Sequence, residues 1–141
     1  MNIYYFCSLI EYIARKTKNR RKDIIKYFSV SDITRQLWLA EINHCLSFEQ
    51  VSDELINEFD IKNGMFDTIA ECKYNVPSVQ EIGRVYQTIV TSSAKEPDIE
   101  KTIINVFSSF ISDEISDFNS SVYYSNPDYL NKSYLYGELL A

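Results

Sequence analysis

The chain has 141 residues, of which 45% are hydrophobic, so it can form one domain with its own core and is too apolar for a disordered segment. It has only 3 Gly and 3 Pro, which disfavours a β-sandwich with many turns and favours long helices. The net charge of −6 is unevenly distributed, because residues 1–35 carry eight basic and three acidic side chains while the remainder is acidic. This asymmetry predicts either a basic binding surface or charge pairing between the two parts.

Four helices are predicted in the N-terminal half, because apolar residues recur there at helical spacing. They cover residues 2–17, 20–28, 32–44 and a fourth segment from 47 onward. The fourth segment starts with a capping box, in which the Ser47 side chain caps the helix three residues before Gln50. Asn19 and Ser31 are the expected N-caps of the second and third helices, and Gly64 is the expected stop after the fourth.

Four further helical segments are predicted in the C-terminal half, at residues 65–74, 78–91, 97–124 and 128–140. The first is ambiguous, because the residues before Pro77 could also be extended. The second starts with another capping box, at Ser78 and Glu81. In the third, apolar residues cover about half of the helix circumference, which is wide for a surface helix and requires neighbours on several sides.

We therefore predict an all-α protein. The expected architecture is a compact bundle of seven or eight helices around the long apolar helix at about 97–124. Residues 1–141 form a single domain in this prediction. A soft division near 63–77 separates an N-terminal four-helix half from a C-terminal half that contains the central helix.

Cysteine usage and hydropathy indicate the compartment. Cys7, Cys45 and Cys72 are odd in number and lack C-x-x-C spacing, which argues against a disulfide framework or a zinc ribbon. The sequence has no run of eighteen apolar residues, and charged residues follow the apolar start too soon for a signal peptide. We expect a cytoplasmic, reduced protein with no membrane contact, no metal and no cofactor.

The most basic stretch of the chain lies between residues 15 and 22. Its cations are Arg15, Lys16, Lys18, Arg20, Arg21 and Lys22. They could contact nucleic-acid phosphates, and the segments 20–28 and 32–44 have the outline of a helix–turn–helix. Against this, Asp32 occupies the start of the second of these helices, and Leu37, Trp38 and Leu39 predict that the helix is largely buried. Alternatively, the cations lie at solvated helix ends and are neutralised by the acidic remainder.

Two positions in the sequence could support catalysis. His44 is the only histidine and precedes Cys45, but adjacent helical residues point about 100° apart, so a histidine at a helix end before a buried thiol is the simpler interpretation. Glu114 lies within the apolar arc of the central helix, where burial would raise its pKa, unless it reaches solvent or pairs with Arg84. The common nucleotide and hydrolase motifs are absent from the sequence. We therefore assign no catalytic residue.

Tyrosines are concentrated near the C-terminus and could form a partner surface, since tyrosine is favoured in interfaces. They are Tyr123, Tyr124, Tyr129, Tyr134 and Tyr136. The alternative is a tail that lies back over the core. A homodimer is the default expectation for a chain with this many apolar and tyrosine positions.

Two parts of the chain resemble known proteins. Residues 6–28, with Ile10-Glu11-Tyr12 and Lys22-Asp23-Ile24-Ile25, resemble a family of small uncharacterised bacterial helical proteins. Residues 76–86 and 111–129 are similar to a segment of short Gram-positive proteins. The first family is associated with toxin–antitoxin-like gene neighbourhoods, ADP-ribosyltransferase partners among them. The resemblance implies a cytoplasmic bacterial interaction protein and carries no catalytic residue onto this chain.

The leading functional prediction is a non-enzymatic module that binds another protein, as an antitoxin or accessory subunit. The runner-up is a DNA-binding regulator that uses the basic segment 15–22 and the helix at 32–44. An enzyme with dispersed residues, such as Glu114 or His44, is the third class. Helical bundles host many unrelated functions, so the fold class does not choose among the three.

Overall fold

The computed structural model describes residues 3–43, 45–73, 75–94, 98–118 and 127–140. Within these residues the chain forms nine helices and no strand, which confirms the predicted all-α class. The helices are α1 (Ile3–Thr17), α2 (Arg21–Ile25), α3 (Val30–Asn43), α4 (Phe48–Phe59), α5 (Thr68–Glu71), α6 (Val79–Ser93), α7 (Ile99–Ser108), α8 (Phe110–Ser116) and α9 (Pro127–Tyr136).

The two predicted N-cap serines lie where the capping-box pattern placed them. The Ser47 side chain accepts a hydrogen bond from the Gln50 amide at the start of α4. The Ser78 side chain likewise accepts from the Glu81 amide at the start of α6. Each bond satisfies one of the backbone donors that a helix N-terminus leaves without an intrahelical partner.

The predicted caps of α2 and α3 were wrong. Helix α3 is capped by Ser29 instead of Ser31, because the Ser29 hydroxyl accepts from the Asp32 amide while the Asp32 carboxylate accepts from the Ser29 amide. This is a reciprocal capping box, which satisfies two backbone donors at once. Asn19 does not cap α2; its amide group donates to Thr17 Oγ1 and to the Lys62 carbonyl.

Gly64 does not end α4. That helix ends at Phe59 and is followed by Asp60 in the left-handed conformation, at φ 51° and ψ 49°. Gly64 instead lies against the end of α1, where its amide donates to the Thr17 carbonyl at 2.7 Å. A Cβ at this position would be 2.6 Å from the Lys18 carbonyl oxygen, so this approach requires glycine.

The predicted continuous helix at 97–124 is interrupted. Ser109 is extended, at φ −85° and ψ 170°, and it separates α7 from α8. Its hydroxyl donates to the Val106 carbonyl at 2.7 Å. At the break, this side-chain hydrogen bond takes the place of a backbone hydrogen bond of a continuous helix. Helix α8 ends at Ser116, and residues 119–126 lie outside the described part of the chain. The apolar face nevertheless continues across the break, because Phe107 and Ile111 are both buried.

Helix α1 has the central place that the sequence assigned to residues 97–124. It packs against α2, α3, α4 and, most extensively, α6. The close crossing of α1 and α6 depends on Gly83, because a Cβ there would collide with the Ser8 side chain and lie 3.0 Å from Ser8 Cα. Helices α1 and α6 lie on opposite sides of the predicted division near 63–77, and they share one buried cluster of apolar side chains.

None of the helices in the described ranges combines the length and the apolar character needed to cross a membrane.

Candidate functional site

Arg21, one of the six predicted nucleic-acid contacts, lies inside the protein. Its guanidinium pairs with the Glu11 carboxylate at 2.5 Å, and both side chains are only 2% exposed. Burial disfavours the charged guanidinium, but the Glu11 carboxylate and the Tyr86 hydroxyl outweigh that penalty, so the pKa of Arg21 is raised. A side chain enclosed in this way is not available to a phosphate backbone.

The Glu11–Arg21 pair belongs to a buried polar network between four helices. Arg21 Nη1 donates to the hydroxyls of Tyr86, at 3.1 Å, and Ser116, at 2.8 Å. The Tyr86 hydroxyl is also 2.8 Å from that of Ser112. This network joins α1, α2, α6 and α8, so these residues hold the bundle together.

Arg15 approaches the same carboxylate from the other side. Its Nε donates to Glu11 Oε2 at 2.6 Å, and its Nη2 donates to the Pro77 carbonyl at 2.6 Å. Arg15 also lies over the Phe118 ring, with 5.7 Å between Cζ and the ring centroid. Two cations therefore share one buried carboxylate, and the second guanidinium ties α1 to the start of α6.

The remaining four cations of the basic segment lie nearer the surface and also have acidic partners. Lys16 pairs with Asp53 at 2.5 Å, and the Lys18 ammonium is 4.0 Å from Asp67. Arg20 and Lys22 both pair with Asp113, at 3.8 Å and 2.6 Å. All six cations thus have a carboxylate within 4.0 Å. Four of the six pair with carboxylates of the acidic part of the chain, and the other two, Arg15 and Arg21, share Glu11 of the basic part.

Helices α2 and α3 follow each other as the predicted helix–turn–helix outline requires, but the prediction that Trp38 is buried was wrong. Trp38 is 79% exposed and Ile42 is 68% exposed. Val30 is exposed on the same helix, eight residues before Trp38 and twelve before Ile42, so the three lie within an arc of about 120°. We call Val30, Trp38 and Ile42 the α3 face. These three side chains are apolar, whereas a helix that reads DNA presents polar and basic side chains to the groove.

A groove of about 260 Å³ adjoins the α3 face. Its lining among the described residues is Thr34, Leu37, Trp38, Glu41 and Glu100. The Thr34 hydroxyl donates to Glu100 Oε2 at 2.6 Å, which ties α3 to α7 across the groove. Leu37 and Trp38 supply apolar surface, and both charged residues in this lining are carboxylates.

The predicted tyrosine surface is only partly exposed. Tyr129 is half-buried, and its hydroxyl donates to the Leu140 carbonyl at 2.7 Å. Tyr134 is also half-buried, and this burial raises the pKa of its hydroxyl. Tyr136 is exposed and lies next to an exposed Leu135. Tyr123 and Tyr124 lie outside the described residues. The described part of α9 therefore packs back over the core and presents a smaller apolar surface than the sequence suggested.

The structure describes only part of the set of candidate catalytic residues. Glu114 is half-buried on α8, and His44 lies outside the described residues. Cys7 is enclosed in the core, and burial raises the pKa of its thiol, which makes the thiol unreactive. Among the described residues, no three His, Cys, Asp or Glu side chains are grouped so that they could hold a metal ion.

Comparisons of the chain with protein-family models, with curated proteins and with solved structures give no match. The resemblance of residues 6–28, 76–86 and 111–129 to small bacterial helical proteins therefore stays a prediction. The protein is placed by its own fold and surface as an all-α bundle with an exposed apolar helix face.

The α3 face was missed at the level of the sequence, although a signal for it was present. The buried residues Ile33, Leu37 and Ala40 occupy one arc of α3. At about 100° per residue, Trp38 is rotated by about 140° and Ile42 by about 180° from Ile33. A single buried arc cannot contain all of these apolar residues, so an exposed apolar face could have been predicted.

Proposed function

We propose that this protein is a non-enzymatic interaction module that binds another protein through the α3 face. The exposure of Trp38 is the observation that carries the proposal. Single apolar residues are common on protein surfaces, but here a tryptophan and an isoleucine one helical turn apart lie beside a groove. Tryptophan is enriched among the residues that dominate binding energy, where its truncation typically costs about 2 kcal/mol or more.

The role of an antitoxin or accessory subunit, which the family resemblance implies, is consistent with this proposal. Such a protein acts by occupying a surface of its partner, so it needs an exposed binding face and no catalytic group. The α3 face would serve as this binding face. The α9 surface at Leu135 and Tyr136 is a second, smaller exposed apolar area.

A DNA-binding regulator is less well supported. The succession of α2 and α3 favours it, but the carboxylates beside all six cations of residues 15–22 oppose it. Contact with a phosphate backbone would require these cations to exchange their acidic partners for phosphates. The gain from counterion release would then be offset by the loss of the internal ion pairs.

Quantitative capture of partners from the native host tests the proposal. Affinity-tagged wild-type protein, a Trp38→Ala variant and a Met65→Ala control are compared by mass spectrometry. Met65 is a fully exposed apolar residue outside α3, so the control removes a similar exposed side chain from another surface. We expect a specific protein whose recovery falls about 30-fold with Trp38→Ala, the equivalent of about 2 kcal/mol, and is unchanged with Met65→Ala. Equal recovery with all three proteins would contradict binding through the α3 face.

A further inference from the structure

The groove beside the α3 face has the size of an anchor site for protein side chains. Its volume of about 260 Å³ is below the range of roughly 300–1,000 Å³ that is typical of small-molecule sites. Leu37 and Trp38 provide its apolar surface, and the Thr34–Glu100 hydrogen bond holds its two sides together. One or two apolar side chains from a partner would fill it.

The α3 face suggests the secondary structure of the occupant. Val30 and Ile42 are twelve residues apart, which corresponds to about 18 Å along the helix axis. A partner helix of three or more turns can follow this length and place side chains in the depression between α3 and α7. Recognition of this kind uses apolar anchors at positions i, i+3 or i+4, and i+7 of the partner helix.

Charge identifies the chemistry of the occupant. Glu41 and Glu100 both line the groove, and the one cation of α3, Arg35, pairs with Glu58 of α4 at 3.3 Å. The Glu100 carboxylate accepts one hydrogen bond from Thr34 and has further acceptor positions. Lys or Arg side chains beside the apolar anchors would therefore be attracted to the groove.

The same charges disfavour a second copy of this chain as the occupant. A symmetric pairing through the α3 face would bring Glu41 and Glu100 of both copies into one interface. The whole chain also carries a net charge of −6. Like charges facing each other oppose association, whereas a basic partner neutralises them.

From these observations we infer that the partner is an amphipathic helix, which places apolar side chains in the α3–α7 groove and pairs Lys or Arg side chains with Glu41 and Glu100. This inference rests on the proposed function and deepens it by specifying the partner. It assigns Trp38 as the apolar contact and the two glutamates as the residues that select a basic sequence.

The single tryptophan of the chain allows a direct binding assay, because its fluorescence reports only on this surface. Two tryptophan-free synthetic helical peptides are titrated against the full-length protein. Both carry leucines at i, i+4 and i+7, and they differ only in the flanking positions, which are lysine in one peptide and glutamate in the other. We expect the lysine peptide to shift the Trp38 emission to shorter wavelength in a saturable way, and the glutamate peptide to leave it unchanged.

A matched pair of charge variants tests the role of the glutamates. The double variant Glu41→Gln/Glu100→Gln keeps an oxygen that can accept the Thr34 hydrogen bond, and it should weaken lysine-peptide binding roughly 2- to 30-fold. The control Glu54→Gln/Glu138→Gln changes the net charge equally at two exposed positions outside the groove. Binding by the control should stay within twofold of wild type, and thermal melting followed by circular dichroism verifies that both variants fold.

Several results would overturn the inference. These are equal binding of the two peptides, no emission change with the lysine peptide at millimolar concentration, or equal loss of affinity in the two double variants. An emission shift that depends on protein concentration without peptide would identify a second copy as the occupant instead, and the same shift with duplex DNA would identify nucleic acid. If partner capture depends on Trp38 while the peptides fail, the interaction role stands and only the basic helix is rejected.

Discussion

Glu11 of α1 and Arg21 of α2 form an ion pair at 2.5 Å that is almost completely shielded from water. The pair is supported by hydroxyl groups of α6 and α8, so four helices meet at one guanidinium. Arg21, one of the six residues that the sequence suggested for a nucleic-acid surface, is here part of the interior. Arg15 and Arg21 of the basic segment therefore contribute to the stability of the bundle, whereas Trp38 and Ile42 of the α3 face are exposed.

Breaking this pair from one side should be strongly destabilising. Glu11→Gln removes the carboxylate that Arg15 and Arg21 share and leaves Arg21 buried without its counterion, at an expected cost of about 3–5 kcal/mol in the free energy of unfolding. Arg21→Met should cost less, because Glu11 still pairs with Arg15. The double variant should cost clearly less than the sum of the two single variants, because it no longer leaves the Arg21 guanidinium buried without a counterion. Urea unfolding of the four proteins measures this coupling. Additive effects, or single losses below about 1 kcal/mol, would contradict a structural role for the pair.

The crossing of α1 and α6 should not tolerate a side chain at position 83. Gly83→Ala would place a methyl group against Ser8, including its backbone, and we expect a loss of about 1–3 kcal/mol despite the higher helix propensity of alanine. Ser8→Gly in the same chain should restore part of the loss. Thermal unfolding of the single and double variants decides this, and a Gly83→Ala protein as stable as wild type would show that the helices can move apart.

Removing the Ser8 hydroxyl, unlike adding a methyl group at Gly83, should not lower the free energy of unfolding. This buried hydroxyl has no hydrogen-bond partner among the described residues. Replacing Ser8 with alanine removes this unsatisfied group, so Ser8→Ala should be neutral or stabilising by up to about 1 kcal/mol. Urea unfolding checks the sign. A loss above about 1 kcal/mol would mean that the hydroxyl is satisfied in solution, for example by water.

Stability should fall at alkaline pH because of Cys7. Burial raises the pKa of its thiol above the ordinary value of 9.0, so above that pH the unfolded chain loses this proton first. The contribution of the protonated Cys7 thiol to the free energy of unfolding is complete below pH 9. It decreases by about 1.4 kcal/mol for each pH unit above that, until the pKa of the thiol in the folded protein is reached. Unfolding under reducing conditions at pH 8 and pH 10 should show a smaller pH-dependent loss for Cys7→Ala than for wild type. Equal losses would contradict the assignment.

Much of the fold could be predicted from the sequence, because the helix signals are local. The caps at Ser47 and Ser78 and most of the apolar faces required no information about distant residues. The break at Ser109 could not be predicted. It depends on the Ser109 hydroxyl bonding to the Val106 carbonyl and not to solvent, which the apolar spacing does not indicate. The burial of Arg21 depends on Glu11, Tyr86 and Ser116 meeting in space, which the spacing along the chain does not indicate.

The candidate site was harder to predict than the fold for a physical reason. Apolar residues on a helix indicate a buried face, and the helical pattern alone does not reveal whether the neighbour is the same chain or a partner. Leu37 is covered by the protein itself, whereas Trp38, the next residue, is exposed. The angular spacing indicates that both cannot be buried in one arc, but which of the two is covered depends on the positions of α1 and α7 around α3, and those positions are long-range properties of the fold.

Photo-crosslinking in the native host tests the central claim most directly. A benzophenone amino acid replaces Ile42, which leaves Trp38 intact, and in a control protein it replaces Met65, another exposed apolar residue. If the α3 face binds a protein, position 42 should give a discrete adduct with one partner that position 65 does not give, and Trp38→Ala in the same chain should abolish it. The absence of an adduct at position 42, or an equal pattern of adducts at both positions, would contradict the claim that this face is the binding surface.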